Sequence, residues 1–209
     1  MTPGDRPSWS AWAPPKEIIL MARAVLGAVD FDPFSLPVIN RAVQAKRFYD
    51  RSTMSLDDIC AKEWSAPGEG RAFVSPPGTA VEVRRLLNKT LREYRAGNIR
   101  QAILWISQNE NLTRCPWLWD YPICIPFRRL RPLVWDEDWG EFMDVTPAAW
   151  SAVVYLPPAE NAVDFHVMLS RFHASFSAFG RVVFNQYSGE TDWEDAYAVY
   201  MKKAYNFRN

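Results

Sequence analysis

The stretch Arg71-Ala72-Phe73-Val74-Ser75-Pro76-Pro77-Gly78 is a short apolar run that stops at two prolines and a glycine. It reads as a strand delivering a rigid loop. Neither proline has a backbone N–H, and each holds φ at about −65°, so Ser75 and Pro76 are pushed out of helical geometry with their carbonyls turned outward. A loop of bare acceptors suits the gripping of an amino group. Pro-Pro-Gly also serves as a plain turn after a strand, and these residues alone leave both readings open.

Working outward, Val81, Val83, Leu86, Leu87, Leu91 and Tyr94 recur at three and four residues with charges between them until Ala96-Gly97-Asn98, the pattern of an amphipathic helix and its stop. Gln101 to Ser107 is then a continuous apolar run, as expected of a strand covered on both faces and parallel to the first, since a helix intervenes. Upstream, Pro14-Pro15 opens a helix carrying Ile18, Ile19, Ala22, Val25 and Leu26, closed by Gly27. Ala28-Val29-Asp30-Phe31 is a strand candidate running into an Asp32-Pro33-Phe34-Ser35 turn. Ile39 to Tyr49 is a helix or a helix-to-strand passage ending at Asp50, Leu56 to Trp64 is loop or a brief helix, and Ala66-Pro67-Gly68-Glu69-Gly70 is a turn. Downstream, Pro116 to Trp139 breaks into short aromatic and proline-rich pieces, with Arg128, Arg129 and Arg131 as its dense basic cluster. Trp150 to Leu156 reads as a strand, Val163 to Phe179 as a helix with apolar Val167, Phe172, Phe176 and Phe179, Arg181 to Phe184 as a last strand, and Trp193 to Tyr205 as helix. The alternation predicts an α/β fold, an open and mostly parallel sheet flanked by helices, in a single domain spanning 1–209. In such sheets ligands sit beyond the carboxyl ends of the strands, beside the switch in strand order. The Asp30-to-Ser35 and Ser75-to-Gly78 segments are therefore expected to share one crevice.

Lys and Arg total 24 against 24 Asp and Glu, so no global positive field announces nucleic acid, and a DNA-binding face has to come from local clustering. Ten tryptophans, eight tyrosines and twelve phenylalanines exceed what a core of this size needs, which points to rings lining a groove or pocket. Cys60, Cys115 and Cys124 form no CxxC pair and are expected to be reduced and buried. His166 and His173 lack metal-ligand spacing, so no metal is expected. No apolar run approaches membrane-spanning length and no leader is evident, so a cytoplasmic protein without a membrane partner is the expectation.

Trp12-Ala13-Pro14-Pro15, Asp30-Phe31-Asp32-Pro33-Phe34-Ser35, Asn40, Ala45-Lys46-Arg47-Phe48-Tyr49, Trp64 and Ser75-Pro76-Pro77-Gly78 resemble, in order and spacing, the motifs of the phage-type DNA adenine N6-methyltransferase family. The similarity runs on through Val153-Val154-Tyr155, Phe172 to Gly180 and Val182-Val183-Phe184. The resemblance implies a Rossmann-like class I methyltransferase fold, S-adenosylmethionine as cofactor, DNA as partner, and the exocyclic N6 of a flipped-out adenine as target. It carries over to Ser75, Pro76, Pro77 and Gly78 as the catalytic loop. Trp12, Pro14, Asp30, Asp32, Pro33, Phe34 and Ser35 follow as cofactor-binding residues, with Asp50 and Asp58 as candidates for the ribose or adenine. Two acceptors on the target amine, the Ser75 hydroxyl and the Pro76 carbonyl, favour a tetrahedral nitrogen and free its lone pair, which is stabilisation of the transition state by positioned dipoles. Base flipping exposes the amine, and Arg128, Arg129 and Arg131 are candidates for phosphate contacts, with an ion pair to the Asp136-Glu137-Asp138 run as their other reading. The chain departs from the family pattern at two positions. Ser75 replaces the family's Asn and matches cytosine N4-methyltransferases. Gly78 brings no ring to stack on the base, leaving Phe73, Trp64 or Trp105 for that role, or a catalytically weakened DNA-binding relative.

Overall fold

The computed structural model describes residues 12–64, 70–136, 141–144, 149–158 and 162–184. The Ala66–Glu69 part of the predicted turn, Glu137 to Trp139 and the Trp193–Tyr205 segment lie outside these residues.

In chain order the elements are β1 (Trp12–Ala13), α1 (Lys16–Leu26), β2 (Phe31–Ser35), α2 (Pro37–Val43), β3 (Arg47–Asp50), α3 (Leu56–Ala61), β4 (Arg71–Val74), α4 (Ala80–Arg95) and β5 (Gln101–Ile106). Then follow α5 (Asn111–Arg114), a 3₁₀ turn over Pro116–Asp120, β6 (Ile123–Pro126), β7 (Leu133–Asp136), β8 (Glu141–Asp144), β9 (Ala152–Leu156), α6 (Ala162–Phe176) and β10 (Gly180–Val183). Seven strands form one sheet in the order β10-β6-β9-β5-β4-β2-β3, and β1-β7-β8 form a second, small one.

The large sheet is mixed rather than mostly parallel. β3, β2, β4 and β5 run parallel, each joined to the next by a crossover helix. β9 then enters between β5 and β6 in the opposite direction, and β10 pairs antiparallel with β6. Beyond β5 the chain has only the one-turn α5 and a 3₁₀ turn before β6, too little to cover a run of parallel crossovers, whereas antiparallel neighbours need no such cover. Because β6 and β5 are both antiparallel to β9, they point the same way, and five of the seven strands present their carboxyl ends to one edge.

The core follows from strand alternation. Ala72 and Val74 of β4 and Ala102, Leu104 and Ile106 of β5 face one cluster with α4, while Phe73, Ile103 and Trp105 face the other with α1, α2 and the end of α6. α4 buries Val83, Leu86, Leu87, Leu91 and Tyr94 as its spacing predicts, but Val81 is exposed: two residues before Val83, it points to the opposite side of the helix. For the same reason Val167 of α6 is exposed, and the buried stripe is Phe165, Leu169, Phe172 and Phe176. Cys115 and Cys124 are buried and Cys60 half-buried, all three free. Among the described residues no helix is long and apolar enough to cross a membrane.

Candidate functional site

The chain leaves β2 for β3 on one side and returns past β2 to β4 on the other, so strand order switches between β2 and β4. Their carboxyl ends carry Ser35 and Ser75. Asp32-Pro33-Phe34 is not a turn after the strand but lies within it: β2 spans Phe31–Ser35 and is buried throughout. Proline is tolerated because the pairing with β3 slips there, Asp32 standing opposite Phe48 and Ser35 opposite Asp50, so the residue without a donor falls in an irregularity of the ladder. The Asp32 carboxylate accepts the Phe34 N–H at 2.9 Å. Burial raises its pKa to about 6, against the pull of the Phe34 N–H, the Ser35 hydroxyl and the Arg51 charge. Folded Asp32 thus takes up its proton at higher pH than the unfolded residue, so its contribution makes stability rise as pH falls from about 6 towards 4, and at neutral pH its ionised form costs about 3 kcal/mol. Asp32→Asn is expected to recover much of this at pH 7 and to flatten the pH 4–6 slope in denaturant unfolding.

At the end of β3, Asp50 closes an Asx turn, its Oδ1 accepting from the Ser52 N–H (2.8 Å) and hydroxyl (2.6 Å). The next residue, Arg51, hydrogen-bonds through its backbone N–H to the Ser35 carbonyl at 3.1 Å and through its guanidinium to the Trp12 carbonyl. Burial lowers its pKa to about 10, with Asp32 and Asp50 as the opposing charges. It remains a cation at neutral pH.

The Ser75–Gly78 loop leads from β4 into α4, where Thr79 caps the helix. The Thr79 hydroxyl accepts the Glu82 N–H while the Glu82 carboxylate accepts the Thr79 N–H at 2.7 Å, a reciprocal capping box. Gly78 has φ +103°, and a Cβ there would stand 2.6 Å from Glu82 Oε2. Its glycine therefore answers a backbone demand at the loop-to-helix join. Gly78→Ala is expected to cost about 1–3 kcal/mol in urea unfolding.

The loop forms one wall of a small concave space. Trp105 and Ser107 at the end of β5 form a second wall, and Trp12 with Arg51 closes the third. Pro76 is buried and Ser75 half-buried. Among the described residues none donates a hydrogen bond to the Ser75 hydroxyl or the Pro76 carbonyl. The arrangement offers free acceptors beside a guanidinium and two indoles.

The predicted residues divide as follows. Ser75, Pro76, Pro77, Gly78 and Trp12 share the cavity, and Asp32 and Asp50 stand behind Arg51. Pro14 is buried next to Trp12, Ser35 is fully buried, and Phe34 packs edge-on against Trp64 with centroids 5.4 Å apart. Asp30 does not join the crevice. It precedes β2 at the amino end of the sheet, fully buried, held by Arg71 (2.8 Å) and Lys46 (2.7 Å), because the strand begins at Phe31 and the direction of the chain carries Asp30 away from the carboxyl edge. Asp58 is spent in the exposed capping box of α3 with Ser55. Of the three rings considered for stacking, Phe73 and Trp105 are in the core, Trp105 reaching the cavity only by its edge-of-core position at 5% exposure, and Trp64 is fully buried with its indole N–H on the Ile59 carbonyl, so none of the three presents an open face. Arg128, Arg129 and Arg131 lie beyond the carboxyl end of β6 and are exposed. Arg51 and Ser107 escaped the sequence reading. Each sits at or just past the carboxyl end of a parallel strand, and applying the strand-end rule to every strand would have reached both.

The chain matches none of the protein-family models, curated proteins or solved structures with which it was compared.

Proposed function

We propose that the protein is an S-adenosylmethionine-dependent DNA methyltransferase that modifies the exocyclic N6 of adenine in a flipped-out base. The observation that carries this reading is the pair of acceptors, the Ser75 hydroxyl and the Pro76 carbonyl, that receive no hydrogen bond from the described residues, in a cavity beside the switch in strand order. The finer fold reading, a Rossmann-like class I methyltransferase, is supported by the parallel β3-β2-β4-β5 half with its crossover helices and by the position of the cavity at its carboxyl edge. A cytoplasmic location belongs to the same reading.

The residues present suit the cofactor. A zwitterionic amino-acid end needs both signs of charge: the Arg51 guanidinium on the cavity wall would take a carboxylate, and Asp50, half-buried at the end of β3, an ammonium group or ribose hydroxyls, while Asp32 is fully buried and acts only through the Arg51 charge. The half-buried Trp12 ring on the cavity wall would stack on the adenine of the cofactor or on the target base. When bound, S-adenosylmethionine supplies an electrophilic methyl group on sulfur. The chain's own part is to hold the amine. Acceptors at Ser75 and Pro76 draw its N–H bonds out of the ring plane, so the nitrogen lone pair is released from the ring, and no strong base is required because the proton departs after the new N–C bond has formed.

Cytosine N4 is the second target, favoured by serine rather than asparagine at position 75. Incubating DNA with the protein and isotopically labelled S-adenosylmethionine, then digesting to nucleosides for mass spectrometry, decides among the readings. N6-methyladenine is expected and N4-methylcytosine would move the target. Neither base, together with no cofactor binding by calorimetry, would overturn the proposal.

A further inference from the structure

β6 runs parallel to β5 with β9 between them, and Cys124 of β6 and Trp105 of β5 stand opposite the same residue, Val153. Two residues further along, Pro126 is therefore level with Ser107 on the cavity wall. The chain then continues past that edge as Phe127, Arg128, Arg129, Leu130 and Arg131. Leu130 is buried in the core, and this anchor turns its neighbours outward: Phe127 is 65% exposed. Beside Arg129, just before β9, Trp150 is 39% exposed, with the Arg129 guanidinium 6.0 Å from its ring centroid, while the Phe127 N–H is held by the Phe179 carbonyl at 3.2 Å. Trp150 is fixed through its carbonyl, which accepts the Asn109 N–H at 2.8 Å, two residues beyond Ser107. Arg128 faces Glu17 only at 3.9 Å, and among the described residues neither Arg129 nor Arg131 is ion-paired.

We infer that this edge is a stacking platform for single-stranded DNA: an unpaired nucleotide next to the target base lies on Trp150 and Phe127, with its phosphates at Arg128, Arg129 and Arg131. The inference rests on the DNA reading of the adjacent cavity and narrows it: the target base is offered by an unpaired strand and need not be flipped out of a duplex. A surface that only held duplex phosphates would need the arginines alone, since bases stacked inside a duplex present no free face to a ring. Exposed rings interleaved with cations are the recognition chemistry of unpaired strands.

The test is fluorescence anisotropy of the full chain with a labelled single-stranded deoxyoligonucleotide, its duplex, and the ribo-oligonucleotide of the same sequence, over a range of salt. The single DNA strand is expected to bind most tightly. Trp150→Ala should weaken it roughly tenfold or more, with Phe127→Ala, at a more exposed position, acting in the same direction. The Arg129→Ala, Arg131→Ala double variant should lower the slope of log affinity against log salt by about 1.4. Circular dichroism of each variant checks its fold. Duplex or RNA bound as tightly as single-stranded DNA, or single-strand binding unchanged in both aromatic variants, overturns the inference. The modification assay is separate: a protein that methylates no base yet binds single strands through Trp150 keeps the platform and loses the proposed activity, and the converse result keeps the activity and loses the platform.

Discussion

Asp30→Ala is expected to destabilise the fold by about 3–5 kcal/mol, the range for breaking a buried ion pair by removing one partner. The Asp30 side chain is fully buried, and the Arg71 side chain facing it is only 13% exposed, so the substitution strands a cation under the sheet. Lys46 also reaches Asp30 but is 57% exposed, and water rather than the carboxylate would then serve it. The pair additionally ties β4 to the start of β2, since the Asp30 carboxylate accepts the Arg71 N–H at 3.1 Å and the Asp30 N–H donates to the Arg71 carbonyl at 2.8 Å. Burial alone would raise the Asp30 pKa, but the bonds from Arg71 and Lys46 bring it down to about 2. Its stabilisation is therefore complete above the unfolded value near 4 and is lost as pH falls towards 2, amounting to about 2 kcal/mol. Wild type should show this loss in acid unfolding and Asp30→Ala should not. A double Asp30→Leu, Arg71→Met variant, which removes both charges, should recover most of the loss; if it is as unstable as Asp30→Ala, the ion pair is not the cause.

Ser75→Ala is expected to slow base modification about 10²–10³-fold, the effect of removing one positioned hydrogen-bond partner from a developing charge. The hydroxyl is half-buried with no partner among the described residues, so alanine there should leave stability within about 0.5 kcal/mol of wild type. S-adenosylmethionine affinity, read by calorimetry, should also hold, because the proposed reading puts Ser75 on the amine and Arg51 on the cofactor. A Ser75→Ala protein that methylates at the wild-type rate would remove the loop from the chemistry. One that loses cofactor binding in parallel would move Ser75 to the cofactor's side of the cavity.

Asp30 and Asp32 show how far a linear reading reaches. Two residues apart and of one chemistry, they read as members of one carboxylate-bearing turn. In the structure Asp30 lies at the amino end of the sheet on Arg71, with its pKa lowered, while Asp32 lies inside β2 near Arg51, with its pKa raised. What separates them is where the strand begins, and that is set by pairing with β3 and β4, which no local pattern encodes. The same holds for Val81 and Val167, apolar residues counted into helical stripes that turned out to face solvent.

The helices α1 and α4, strands β4 and β5 and the proline loop between them were legible because their apolar spacing, caps and breakers are local: each is decided within a few residues by sterics and backbone hydrogen bonding. The reversed β9, the small sheet that brings Trp12 to the cavity, the isolation of Asp30 and the use of Arg51 were decided only by the tertiary structure. They depend on which distant segments pair and in which direction, and on how burial balances charge once they have. The Ser75-Pro76-Pro77-Gly78 loop belongs to both. Its acceptors follow from two prolines in sequence, while Arg51 and Trp105 come from the parallel β3 and β5, which end at that edge, and Trp12 from the small sheet laid beside it.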